Sequence, residues 1–454
     1  MHIADQHFAI YGLGDTGFAS AQYLLAHGAH VTVFDHQKNP KHAEKLIKLA
    51  PQIAFYTEKF EAHYLQGVNH LLVSPGVALS QPEIINFRRN GGSIMSDVEL
   101  FARIFKQDLS GHVIAISGSN GKSTVTELVG HLCRACQHHV VVAGNIGLPI
   151  LDALLKSEQT QAMPDYWVLE LSSFQMDLTE NLDADAAVVL NIAEDHLDRY
   201  GDLLSYAASK SKLFNGQGVQ VINWDDPLCC AMRRKNRLTR QFSLNRPTDY
   251  ALSEAGYLML TGEKTLHYSE LPLQGLHNIA NILAALALCE ALHLPRLRLL
   301  ESLKTFRGLS HRIEWVNQIA GVDYIDDSKG TNVAATEAAL LSMTKKVILI
   351  AGGDGKKQDF APLKKVLQKV ARAVVLIGKD AQQIHQAIEG LNLPIKHCDT
   401  LEHATYMAAS LAKSGDAVLL SPACASLDMF DNYMHRAQVF CDAVFRLKKA
   451  HKIC

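Results

Sequence analysis

The chain has almost no net charge: 44 Lys and Arg stand against 46 Asp and Glu, a balance of -2 over 454 residues. Proteins built around the phosphate backbone of nucleic acids carry a basic excess, so no nucleic-acid partner is expected. Cysteine is sparse and scattered, nine in all, an odd number without the dense spacing of a disulfide framework, which suits a reducing compartment. Cys133 and Cys136 form one CxxC with no second pair and read as structural thiols rather than zinc ligands. Long apolar runs are missing too. The longest, residues 279–292, is broken by Asn281 and Glu290 and falls short of the about 18 uninterrupted residues a membrane span needs. It reads as a buried helix. The apolar stretch 8–11 is too short for the core of a signal peptide. A cytoplasmic protein with no membrane span is expected. No low-complexity tract and no internal repeat are visible.

What is present is an ordinary globular composition, 48% apolar and 20% charged, in a chain long enough for about three domains. One stretch stands out: Gly118-Ser119-Asn120-Gly121-Lys122-Ser123-Thr124. A β-branched apolar segment, residues 113–116, precedes it, and Val125, Leu128, Val129 and Leu132 follow at helical spacing. Strand, glycine turn and helix start, in that order, make a phosphate cradle: backbone N–H groups turn inward and the helix N-terminus adds partial positive charge. Lys122 would reach the terminal phosphates and the Ser123 hydroxyl would ligate Mg²⁺. The usual Walker pattern has glycine where this chain has Ile116. The stretch predicts an ATP site.

Residues 8–35 read strand, Gly12-Leu13-Gly14-Asp15-Thr16-Gly17, helix, strand, ending at Asp35. That spacing fits a dinucleotide fingerprint, but the same turn fits any nucleotide diphosphate, or tight helix–strand packing. A strand at 71–73 ends in Ser74-Pro75-Gly76, at the carboxyl edge where open α/β sheets take ligands. In the middle of the chain, polar clusters follow apolar strands: Gly144-Asn145-Ile146-Gly147, Glu170 to Gln175, and Asn191 to Arg199, which includes His196. A parallel sheet would gather them along one edge. A helical segment near 206–213 carries Lys210 and Lys212, and on residue type alone Lys210 is an exposed helix lysine. Asn278 and Asn281, on adjacent turns, could cap the apolar helix or touch a base, and on residue type alone the cap is the expected role. Beyond residue 309 the pattern repeats, with His311-Arg312, Asp327-Ser328-Lys329-Gly330-Thr331-Asn332, Gly352-Gly353-Asp354-Gly355-Lys356 and Ser421 to Ser426 before a long terminal helix.

Taken together and in this order, these motifs resemble the Mur ligase family across essentially the whole chain, and among its members the D-glutamate-adding ones. The resemblance accounts for Ile116, because the family's loop is this shorter form. It implies an α/β fold of three domains: a Rossmann-like N-terminal domain (1–100), a central P-loop ATPase-like parallel sheet (101–308) and a C-terminal Rossmann-like α/β domain (309–454). It implies an ATP-dependent ligase joining D-glutamate to UDP-N-acetylmuramoyl-L-alanine through an acyl phosphate, and a monomer.

The implied site follows residue by residue. Lys122, Glu170, His196 and Lys210 would be catalytic. Two Mg²⁺ ions are implied, one on Ser123 and Glu170, the other on His196 and a Lys210 carbamylated by CO₂; Lys212, two residues on, is the competing lysine. The nucleotide would meet Gly118 to Thr124, Asn281, Arg312, Asp327 and Lys329. D-Glutamate would meet Thr331, Lys356, Ser426, Leu427 and Tyr433, the last where relatives often have phenylalanine. The uridine nucleotide would lie against Asp15, Thr16, Asp35, Ser74, Pro75 and Gly76, with Asn145 and His196 nearer the muramoyl end. After Asp35 this chain has His36-Gln37 where relatives often carry threonine and arginine.

Overall fold

A computed structural model describes residues 2–273, 275–309 and 311–451. Apolar β-branched runs become strands buried on both faces, as parallel sheets require. The first sheet contains β1 (His7–Tyr11), β2 (His30–Asp35), β3 (Ala54–Thr57), β4 (His70–Val73) and β5 (Ser93–Met95), in the order β3-β2-β1-β4-β5 with every pair parallel. The order reverses at β1, so the crevice of this doubly wound sheet opens past the ends of β1 and β4. The turn after Tyr11 and the Ser74 turn meet there: Ser74 Oγ donates to Gly12 O at 2.8 Å.

The second sheet has nine strands: β6 (His112–Ser117), β7 (Val140–Gly144), β8 (Tyr166–Glu170), β9 (Ala186–Val189), β10 (Val219–Asn223), β11 (Thr239–Ser243), β12 (Tyr250–Leu252), β13 (Tyr257–Leu260) and β14 (Glu263–His267), ordered β14-β13-β12-β11-β10-β9-β6-β8-β7. It is parallel from β7 to β12 and turns antiparallel at the β12–β13–β14 edge. β6, an interior strand between β9 and β8, feeds the glycine loop and then the helix Lys122–Ala135, whose Val125, Leu128, Val129 and Leu132 are all fully buried. Those four positions are the apolar stripe that seats the helix on the sheet.

The third sheet comprises β15 (Glu314–Ile319), β16 (Val322–Asp326), β17 (Val347–Gly352), β18 (Ala371–Ile377), β19 (Ile395–His397) and β20 (Ala417–Leu420), ordered β15-β16-β20-β17-β18-β19 and parallel except for the β15–β16 hairpin. One apolar cluster, including Leu349, Leu363, Leu376 and Ile384, covers one face, and another, including Ile348, Val375, Val418 and Phe440, covers the other.

The chain forms two compact units. The first, residues 1–191, 207–271 and 280–306, contains the first two sheets; the second, residues 192–206, 272–279 and 307–454, contains the third. Within the first unit the helix Asp97–Asp108 pins the two sheets' chain segments together. Ser96 caps it by accepting from Glu99 N at 3.0 Å, and Glu99 in turn accepts from Glu180 N and Asn181 N at 2.8 and 2.9 Å. Among the described residues no helix is long and apolar enough to cross a membrane.

Candidate active site

In the first unit the carboxyl edge of the nine-stranded sheet collects the polar side chains. Gly121 is the N-cap of the helix Lys122–Ala135 with φ +85°, a left-handed conformation that suits glycine, and a Cβ there would lie 2.5 Å from Asn281 Oδ1. Asn281 therefore packs directly on the phosphate loop. The expected capping role of Asn278 and Asn281 is corrected: both lie inside the helix Leu276–Ala291, which begins before them. Lys122 curls over the loop, its Nζ donating to Gly118 O and Ser119 O, each at 2.9 Å. That posture places a cation over the glycine loop at the helix N-terminus, where a terminal phosphate would sit. The loop itself is held by Asn191, whose O and Oδ1 accept from Ser119 N and Asn120 N, each at 2.9 Å. Ser123 is buried in the first helical turn.

Glu170, last residue of β8, is 1% exposed, and its Oε1 accepts from Asn145 Nδ2 at 2.8 Å. The backbones register the same pair, with Asn145 N donating to Glu170 O at 2.8 Å. Lys210 is the larger surprise. The helix lysine expected at the surface is 1% exposed, and its Nζ donates to Ser117 Oγ at 3.3 Å at the end of β6. Its helix, Leu203–Ser211, is drawn inward partly by Ser209, whose hydroxyl bonds Ser173 O at 2.8 Å and Asp177 Oδ1 at 2.7 Å. Lys212 lies past the helix end in a short 3₁₀ turn and donates to Asp177 O at 2.6 Å. A buried hydroxyl and carboxylate beside a phosphate loop form a hard oxygen donor set of the kind Mg²⁺ takes with a nucleotide. Ser123 and Glu170 fit that role.

At the first sheet, Asp35 ties two turns together: Oδ2 accepts from Leu13 N in the glycine turn after β1 at 2.6 Å and Oδ1 from Gln37 N in its own turn at 2.8 Å. Asp15 instead pairs with Lys41 and His42, at 2.8 and 2.7 Å, and those contacts hold its carboxyl below the usual range. Thr16 is half-buried and Gly76 is exposed.

In the second unit, His196 takes φ +55° and Lys356 φ +53°, strained for residues with a Cβ and the kind of outlier that clusters at functional sites. Lys356 Nζ reaches Asp195 Oδ1 at 2.9 Å, and Asp195 Oδ2 is 3.7 Å from His196 Nε2. Asp195 was legible in the polar run after β9 only as a neighbour of His196. Arg312 lies near His277, whose pKa falls to about 4, first through burial and then through that guanidinium. Asp327 is buried and its pKa rises to about 7 by desolvation, opposed by the hydrogen bond from Ser421 Oγ at 2.6 Å and by Arg312. Lys329 Nζ stands 5.0 Å from the Tyr433 ring centre. Thr331 is half-buried and Ser426 buried, but Leu427 is 75% exposed.

Among the described residues, one cluster of three side chains converges as metal ligands could: His311, Glu314 and Asp326, with ligand atoms within 4.8 Å of one another. Each already serves the backbone around Arg312. Glu314 accepts from His311 N, and Asp326 accepts from His311 Nδ1, all at 2.7 Å, and from Ser328 N at 2.8 Å.

Comparison with known proteins follows the same three blocks. The Mur ligase MurD-like N-terminal domain matches residues 6–96, the Mur ligase middle domain residues 116–289, and the Mur ligase glutamate ligase domain residues 311–424. The chain is 56% identical over 452 residues to UDP-N-acetylmuramoylalanine--D-glutamate ligase of Chromobacterium violaceum, a match covering 99% of this chain and 100% of that protein. The protein of the same name from Thiobacillus denitrificans is 51% identical over 463 residues, covering 98% of each. Among solved structures, UDP-N-acetylmuramate-alanine ligase MurC from Thermotoga maritima superimposes with a TM-score of 0.63 over 97% of this chain and 100% of that one. At 19% identity that likeness is one of fold.

Proposed function

The chain belongs to the Mur ligase family, with that family's three-domain α/β architecture, and from that premise we propose that it joins D-glutamate to UDP-N-acetylmuramoyl-L-alanine at the expense of ATP. The proposal keeps the division into 1–100 for the uridine nucleotide, 101–308 for ATP and 309–454 for the amino acid. The observation that carries it is the phosphate loop with Lys122 above it and Glu170 beside Asn145 at the same sheet edge.

A carboxylate is a poor electrophile, and it repels a triphosphate. The acceptor carboxylate oxygen attacks the γ-phosphorus, the bond to the β-phosphate oxygen breaks, and ADP leaves. The amine of D-glutamate then attacks the acyl carbon, sheds a proton, and expels phosphate with one former carboxylate oxygen. Each step concentrates negative charge, so rigid cations and amides aimed at the phosphoryl group supply most of the catalysis. Lys122 and the loop of residues 118–124, at the N-terminus of its helix, hold the phosphates. Ser123 and Glu170 would hold a Mg²⁺, which when bound neutralises the β- and γ-phosphate charge. Asn281, Arg312, Asp327 and Lys329 receive the nucleotide. Lys356, Thr331 and Ser426, with Leu427 and Tyr433 at the side, receive D-glutamate, whose two carboxylates call for a cation and hydroxyls. Asp15, Thr16, Asp35 and Ser74 to Gly76 serve the uridine diphosphate, Asp35 through the two turns it holds. A carbamate on Lys210 would turn a positive side chain into an anionic oxygen ligand, the type a second Mg²⁺ prefers, with His196 as the other protein ligand.

Transfer of ¹⁸O tests the chemistry. With both acceptor carboxylate oxygens labelled, one ¹⁸O is expected in the released phosphate for each amide formed. Unlabelled phosphate alongside amide formation would sink the acyl-phosphate route.

A further inference from the structure

Arg436 belongs to no motif singled out by sequence, yet among the described residues of the second unit it is the most completely buried cation, with 0% of its surface exposed. It projects from the first turns of the helix Tyr433–His451. Burial lowers its pKa to about 10, and a guanidinium taken out of water is costly unless its donors are met. Here they are met by two loops. Nε donates to Ser328 Oγ at 3.0 Å and Nη2 to Ser328 O at 2.7 Å, while Nη1 donates to Cys424 O at 3.1 Å. Ser328 Oγ passes the contact on, donating to Tyr433 O at 2.8 Å. The loops also touch directly: Ala423 N donates to Gly330 O at 2.9 Å and Ser421 Oγ to Asp327 Oδ2 at 2.6 Å.

The loop at Ser328 carries Asp327 and Lys329, assigned above to the nucleotide, and Thr331, assigned to the amino acid. The loop at Cys424 carries Ser426, also assigned to the amino acid. We propose that Arg436 is a positioning residue that sets both loops from one planar fork, so that the nucleotide and amino-acid receptors are built together. The inference rests on the ligase reading. A lysine in its place keeps the charge but cannot present three fixed donors to two loops at once. A purely structural arginine would lower stability and leave substrate affinity alone.

The test is steady-state kinetics on the full-length enzyme, wild type first. Arg436→Lys is expected to raise KM for D-glutamate and KM for ATP together, each by about tenfold, while kcat falls by less than about threefold. Ser328→Ala, which removes one of the three acceptors and leaves Arg436 in place, is expected to move both constants in the same direction by about two- to threefold. If Arg436→Lys does not fold, Ser328→Ala decides alone. Both KM values at wild-type level, or a rise in only one of them, overturns the inference, whatever happens to the melting temperature. A wild-type enzyme that does not use D-glutamate would instead overturn the ligase reading.

Discussion

Single side chains carry the sharpest expectations. Lys122→Ala removes the cation above the phosphate loop and is expected to cut kcat by about 100-fold or more, the scale set by losing one preorganised donor to a developing anion; ADP release near the wild-type rate would refute the loop's role. Lys210 and Lys212 separate two readings of one short segment. Lys210 is buried against Ser117, whereas Lys212 holds a backbone carbonyl at 2.6 Å. Lys210→Ala is expected to lose most activity, with partial recovery on adding short carboxylates that occupy the vacated ligand position, and Lys212→Ala to be much milder. The opposite ranking in a paired assay rejects the carbamate proposal. Asp195→Asn leaves Lys356, 15% exposed, without its anionic partner. Stability should fall by roughly 1–3 kcal/mol in denaturant titration, the range for a mostly buried charged hydrogen bond. An unchanged midpoint would show that the pair contributes nothing. Lys210 also shows what residue type hides: a lysine in a helix of modest amphipathicity looks solvated, and only Ser209 and the sheet edge draw it in.

At the scale of elements, the strand–loop–helix around Gly118–Ala135 was fully legible, because apolar period, glycines and helical stripe agree. The asparagines of the helix Leu276–Ala291 were not. Asn281 looks like a cap in sequence, and its packing on Gly121 is a long-range contact that no local pattern reports. The helix Asp97–Asp108 yields a pH prediction. Burial raises the Asp97 pKa to about 6 from 3.8, against hydrogen bonds from Gln175 Nε2 at 3.3 Å to both oxygens. A carboxyl whose folded pKa is raised binds its proton more tightly in the native state, so its contribution declines as pH rises from about 4 to 6. The ionised form above that window costs at most about 3 kcal/mol. Asp97→Asn should therefore flatten the stability–pH curve between those limits relative to wild type. Parallel curves for the two proteins would contradict the assignment.

Over the whole molecule, the order of α/β blocks and the clustering of polar residues after strands could be read directly, because parallel strands are continuous apolar runs ending in turns. The edge β10–β14 could not: its strands are short and mixed in polarity, as in TRQFS and EKTLH, and they become strands by pairing with neighbours. Nor could the two-loop grip of Arg436, which joins residues more than a hundred positions apart. The central claim belongs to this scale, that one chain carries the receptors for ATP, a muramoyl nucleotide and D-glutamate. The direct measurement is ADP release by the full-length enzyme with ATP, Mg²⁺ and UDP-N-acetylmuramoyl-L-alanine, compared across D-glutamate, L-glutamate, L-lysine and meso-diaminopimelate. Release that requires the muramoyl nucleotide and is fastest by a wide margin with D-glutamate is the predicted result; equal or faster release with L-lysine or meso-diaminopimelate would contradict it.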